Sequence, residues 1–291
     1  MLRVPLAALS FILNTLVHGP VLIFGAVVKL LPVPALQRRL EHWLPAIAES
    51  WIAANSAMMD GFTHTWFVIE GLESLRPDGH YLVLANHRSW VDIPVLQKIF
   101  NRRIPLLRFF LKRQLIWVPV LGLCWWALDF PFMQRATKSQ LARRPELAGR
   151  DLAATRRACE KFRHIPSSIM NFVEGTRFTP AKQAAQGASY QHLLRPRAGG
   201  AAFVLGAMGN SLDAVLDVTV HYDRAQPSLA DLFADRIGTV RVRIVERPIP
   251  DGFAGANYEG DREFRRRFQS WLNQIWIEKD ACLDAWNREP R

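Results

Sequence analysis

From Val4 to Val28 the chain carries no Asp, Glu, Lys or Arg, and apolar side chains fill most positions. A helix needs about 20 apolar residues to cross a hydrocarbon layer, so this run predicts an apolar helical membrane anchor. His18-Gly19-Pro20 interrupts it. Proline lacks the N–H that a helix interior uses, which leaves two forms open: one bent span or a re-entrant helical hairpin. The lone Arg3 ahead of the run and the absence of an A-x-A site before Lys29 argue against a cleaved leader. Downstream, a helix is predicted over Leu36 to Ser56. Short β-like runs follow at Thr65 to Glu70, Tyr81 to Ala85, Ile104 to Leu111, Phe130 to Met133, Ser168 to Val173, Ala214 to His221 and Thr239 to Glu246. Helical patterns separate several of them, as at Asp151 to His164. This alternation predicts an α/β fold, a mixed central sheet flanked by helices. The expected organisation is a membrane-associated helical segment over 1–56 and one α/β domain over 57–291.

Three stretches sharpen the picture. V-R-V-R-I at Val240 to Ile244 alternates as a half-exposed edge strand does. Leu115 to Leu128 is uncharged but short for a span, and reads as a core or interface-dipping element. From Asp261, Phe264, Phe268, Leu272, Ile275 and Trp276 recur at near-helical spacing, predicting a helix packed on the core.

The 291 residues suffice for one large domain with a small appendage. The net charge of +11 favours polyanions: nucleic acid, anionic headgroups or phosphorylated substrates. Ten tryptophans beside four tyrosines tilt that choice toward lipid, because indole rings favour the headgroup interface. Helix-turn-helix, RNA-recognition and zinc signatures are missing from the sequence, so no nucleic-acid partner is expected. Cys124, Cys159 and Cys282 are odd in number and lack ligand spacing, which suits a reducing compartment without disulfide or metal. Lys29, Arg38 and Arg39 after the apolar run place the α/β portion on the cytoplasmic side of a membrane.

The chemistry concentrates in two blocks. In NHRSWVD, Asn86 to Asp92, a strand ends near Asn86, and Ser89 with Asp92 has the spacing of a capping box, so a helix is expected from Trp90. His87 then lies at a strand-to-helix turn, where the crevice of an open α/β sheet forms. Asp92 can reach back to one ring nitrogen and leave the other basic, making a general base with its orienter. The alternative is a helix-terminus acid beside a surface histidine. In NFVEGTRFTPAK, Asn171 to Lys182, a strand runs into Glu174, Gly175, Thr176 and Arg177. The glycine permits a tight turn, Arg177 presents a guanidinium suited to phosphate, and Glu174 is placed to hold that arginine. A structural Glu/Arg pair closing a strand is the plainer reading. Lys112 and Arg135 lie between the blocks, and Arg195 and Arg197 precede Gly199 and Gly200 at a predicted helix start.

Together these blocks resemble the PlsC-like lysophospholipid acyltransferases, which include the 1-acylglycerol-3-phosphate acyltransferases. NHRSWVD matches the family's NH-x4-D, the Lys112 to Arg135 region its second block, FVEGTR its third and LLRPRAGG its fourth, over about Tyr81 to Tyr222. EGTRFT, HLLRPR and VLDVTV are most similar to the branch containing lysocardiolipin acyltransferase. Leu216-Asp217-Val218-Thr219 departs from the proline-centred segment of many members.

The resemblance implies acyl transfer from acyl-CoA or acyl-carrier protein, a co-substrate in place of any cofactor, to the hydroxyl of a membrane lysophospholipid. The leading acceptor is 1-acylglycerol 3-phosphate, with lysophosphatidylglycerol or lysocardiolipin as alternatives and a membrane lipid hydrolase as a more distant one. It also implies that His87 is the base oriented by Asp92. Glu174, Gly175, Thr176 and Arg177 would bind the acceptor phosphate, helped by Lys112 and Arg135. Ser89 is expected to serve as a cap or supporting hydroxyl.

Overall fold

The N-terminal apolar run forms one helix, α1 (Arg3–Lys29), which continues through Pro20. Neither a hairpin within the run nor a break at the proline occurs. Pro20 lies on the exposed side, while its neighbour Gly19 packs so closely against Val120 that a Cβ would approach the valine methyl to 2.5 Å. The chain reverses at residues 30–33 and returns as α2 (Pro34–Phe62), longer than the predicted helix at both ends. Leu22, Ala26, Leu44, Ala48 and Ile52 bury the seam between the two. Asn14 donates to Asn55 (2.7 Å) and to the Trp51 carbonyl (3.0 Å), satisfying the buried polar groups of that seam. This computed structural model describes residues 3–133, 156, 159–160, 162–163, 165–187, 189–258 and 260–289. Most of the helix predicted at Asp151 to His164 lies outside them.

Beyond α2 come β1 (Trp66–Glu70), β2 (His80–Ala85), α3 (Asp92–Phe100), β3 (Leu107–Phe109), β4 (Leu111–Lys112), a 3-10 turn at Arg113–Trp117, α4 (Leu121–Ala127) and β5 (Phe132–Met133). β6 (Ser167–Phe172), α5 (Pro180–Ala185), α6 (Ala198–Met208), β7 (Ala214–Tyr222), α7 (Leu229–Phe233), β8 (Thr239–Arg247) and α8 (Arg262–Arg288) complete the described elements. The main sheet has the order β1-β8-β7-β2-β6-β3 and is mixed: β7 and β8 run antiparallel and the other pairs parallel. β4 and β5 pair separately. The predicted strand over Ile104 to Leu111 is thus two short pieces in different sheets.

β8 is not an edge. It lies between β1 and β7, although its side chains alternate as the sequence indicates, with Val240, Val242 and Ile244 buried and Arg243 exposed. Alternation reports which face of a strand is covered, and an interior strand with one open face shows the same pattern. Beneath the opposite face, α6 and α8 close a core around Leu82, Leu84, Phe268, Leu272 and Trp276, as expected for the C-terminal helix.

Candidate active site

β2 is flanked by β6 on one side and β7 on the other, all parallel, so the C-terminal ends of the three strands meet at one sheet edge. NHRSWVD leaves β2 there, the EGTR turn leaves β6, and β7 ends in Tyr222. That topology brings together residues far apart in sequence. Asn86 extends the β2–β7 pairing with its side chain, donating to the Val220 carbonyl (2.9 Å) and accepting from the Val220 N–H (2.8 Å). The chain is then free to turn, and His87 N–H meets Glu174 at 3.4 Å while the His87 carbonyl accepts from Phe178 N–H at 2.8 Å.

The ring of His87 stacks on Phe172, centroids 3.9 Å apart, and its Nδ1 lies 2.8 Å from Asp92 Oδ2. Asp92 is fully buried, and Oδ2 also accepts from the N–H groups of Arg88 (2.7 Å) and Ser89 (2.9 Å). Tyr222 donates to Oδ1 at 2.7 Å. A carboxylate so surrounded by donors fixes Nδ1–H as the donor to it and leaves the basic lone pair on Nε2. The Ser89 hydroxyl accepts from Val91 N–H (2.9 Å), so it caps the turn before α3, which begins at Asp92 rather than at Trp90. Tyr222 is a site neighbour that sequence reasoning missed; only the β-sheet brings it to Asp92.

Glu174 does not hold Arg177. It turns inward, fully buried, and burial pushes its carboxyl up to about 8, against the opposing pull of the His87 and Leu194 amides, Arg88 and Lys279. Gly175 follows at φ +70°, a conformation that favours glycine. Thr176 Oγ1 accepts from Lys182 Nζ at 2.8 Å. Arg177 is exposed and lays its guanidinium over Trp90, 4.8 Å from the ring centroid. Arg88 is instead a half-buried cation: it donates to the His192 carbonyl (3.1 Å) and lies over the Phe178 ring at 4.7 Å.

His87, Gly175, Thr176, Arg177 and Lys112 all line one cavity of about 580 Å³ that extends inward between α1, α2 and α4. Its deeper wall is apolar, with Leu22, Ile52, Leu106, Cys124 and Leu128. The structure therefore brings five of the predicted positions to one surface, with Asp92 directly behind His87 and Glu174 beneath the turn. Arg135 lies outside the described residues. An apolar pocket that opens on a base and a cation suits a molecule with a long hydrocarbon part and an anionic end.

A family model described as Acyltransferase matches residues 67–222, more than half of the 291 residues. The chain belongs to the acyltransferase family. This acyltransferase is 26% identical over 295 residues to lysocardiolipin acyltransferase 1 of Danio rerio, an alignment that covers 94% of this chain and 69% of that protein. It is 25% identical over 228 residues to 1-acyl-sn-glycerol-3-phosphate acyltransferase 3 of Arabidopsis thaliana, covering 71% of this chain and 54% of that one. Its fold matches the crystal structure of PlsC, the 1-acyl-sn-glycerophosphate acyltransferase of Thermotoga maritima, with a TM-score of 0.58 at 18% identity, covering 100% of this chain and 98% of the other. At that identity the structural match speaks for the fold: a mixed sheet flanked by helices, with an apolar helix at the N-terminus.

Proposed function

We propose that this acyltransferase moves a fatty acyl group from a thioester, acyl-CoA or acyl-carrier protein, to the free hydroxyl of a lysophospholipid at a membrane surface, with 1-acylglycerol 3-phosphate as the leading acceptor and phosphatidic acid as its product. The observation that carries this reading is the His87–Asp92 pair opening onto an apolar cavity with Arg177 at its mouth. The acceptor hydroxyl attacks the thioester carbonyl as His87 Nε2 takes its proton, and Asp92 stabilises the imidazolium that forms. The C–S bond then breaks. The departing thiolate, whose thiol resembles cysteine with a pKa of about 8.5, takes the proton back, leaving an ester and a free thiol.

Arg177 pairs with the acceptor phosphate, aided by Thr176 and Lys112 beside the tight turn that Gly175 allows, and thereby fixes the hydroxyl near His87. Glu174 acts from beneath by holding the two motif turns together. The apolar cavity takes the hydrocarbon part, and the exposed face of α1 lies in lipid, with the α/β portion on the cytoplasmic side. Lysocardiolipin is the second acceptor reading, favoured by the length of the match to the zebrafish protein.

The test is transfer of labelled acyl groups from acyl-CoA to a panel of lysolipids, with products separated by chromatography. Removing the base in His87→Ala lowers the rate by roughly 10²–10⁴-fold while the protein stays folded. An alanine variant that retains full activity, or free fatty acid as the sole product of the wild type, overturns the reading.

A further inference from the structure

The fourth sequence block has no role in the chemistry described above. Its Arg197 precedes α6, and the Arg197 N–H donates to the Val173 carbonyl at 2.8 Å, tying it to the strand end from which the EGTR turn departs. Its side chain crosses Gly175 so closely that a Cβ there would lie 3.2 Å from Cδ and 3.5 Å from both Nε and Nη1. Arg177 follows two residues later, and Lys182 Nζ donates to Thr176 Oγ1 (2.8 Å) and to the Arg177 carbonyl (2.9 Å). Three cations therefore converge on one Gly-Thr turn. Among the described residues none of them has a carboxylate partner, and the acid of the turn, Glu174, is buried beneath it. Converging like charges repel unless an anion neutralises them.

Arg177 lines the cavity and stacks on Trp90, whereas Arg197 packs against Gly175 without lining the cavity. We infer that Arg197, with Lys182, forms a second phosphate-binding site on the outer side of the EGTR turn, for a phosphate that Arg177 does not reach. The ligand class is a substrate with more than one phosphate. Two such sources exist within the acyl-transfer reading: a nucleotide carrier on the donor, or a lysolipid with two phosphates. The identity of the ligand rests on that reading, but the site itself does not.

Calorimetric titration of the full chain with inorganic pyrophosphate tests the site without any transfer reaction. Pyrophosphate binds the wild type, Arg197→Gln weakens binding roughly tenfold, and Arg197→Lys restores part of it. Equal binding by wild type and Arg197→Gln, or none by the wild type, overturns the site. Steady-state kinetics then assigns the source. A raised KM for acyl-CoA in Arg197→Gln identifies the donor, and a raised KM confined to a two-phosphate lysolipid identifies the acceptor. Unchanged KM values for both, with transfer intact, overturn the inference while leaving the acyl-transfer reading in place.

Discussion

At the scale of single residues, Glu174 bears a heavy electrostatic burden in the site. Its carboxyl is buried under the EGTR turn and holds its proton to about pH 8, whereas the same group in the unfolded chain releases it near the ordinary glutamate value. The sign follows from proton counting. Below the unfolded value both states are protonated and the full stability is present; between that value and about 8 the unfolded state alone has ionised, so stability falls as pH rises and levels off above. Each pH unit in that window is worth about 1.4 kcal/mol, so the decline amounts to a few kcal/mol. Glu174→Gln, which never ionises, should show a flatter stability profile from pH 5 to 9. Urea unfolding across that range checks it; parallel profiles for the two proteins would show that Arg88 and Lys279 keep Glu174 charged.

At the scale of elements, α8 does more than cover the sheet. Its Lys279 is buried, donates to the Val218 carbonyl (2.6 Å) and Thr219 Oγ1 (3.2 Å), and places Nζ 2.6 Å from Asp217 Oδ1 on β7, outside hydrogen-bond geometry. Arg247 of β8 donates to the other oxygen of Asp217 at 2.9 and 3.2 Å. Asp217 is thus held between a cation of the neighbouring strand and one from the far end of the chain. Removing one partner of a buried pair leaves an uncompensated charge, so Lys279→Met should destabilise by about 3 kcal/mol. Adding Asp217→Leu should recover most of it. A single variant as stable as the wild type in urea would deny the pairing any structural role. Lys279 was invisible in the sequence because it occupies a helix rich in charges, and nothing local marks it as buried. The same limit hid Tyr222 behind Asp92, since Tyr222 ends β7 whereas Asp92 opens α3, far away in the sequence. NHRSWVD and EGTR were legible because each is a strand end followed by a tight turn, and strand ends are readable from local residue type. The placing of β8 inside the sheet was not, because strand order depends on contacts between distant segments.

At the scale of the whole molecule, α1 is long and apolar enough to cross a membrane, and its outward side chains include Val17 at 66% and Phe24 at 71% exposure. Yet both its ends are tied to the same α/β body. Arg3 pairs with Asp235 at 3.1 Å beside α7, and Lys29 lies 3.5 Å from Asp129 after α4. A helix of 27 residues spans about 40 Å at 1.5 Å per residue, more than a bilayer core of about 30 Å. A crossing helix would carry one of those ends to the opposite face, away from its partner. Under the membrane-surface reading proposed above, a helix lying along the domain instead would present its apolar face to one leaflet and bring the cavity mouth, with exposed Trp90, to the lipid surface. Single-cysteine labelling separates the two arrangements. In a Cys282→Ser background, with Cys124 and Cys159 buried, Pro5→Cys and Leu30→Cys, both at exposed positions, should react with a membrane-impermeant maleimide from the same side of sealed vesicles. Labelling from opposite sides would mean that α1 crosses, and that its contacts with Asp235 and Asp129 do not persist in the membrane.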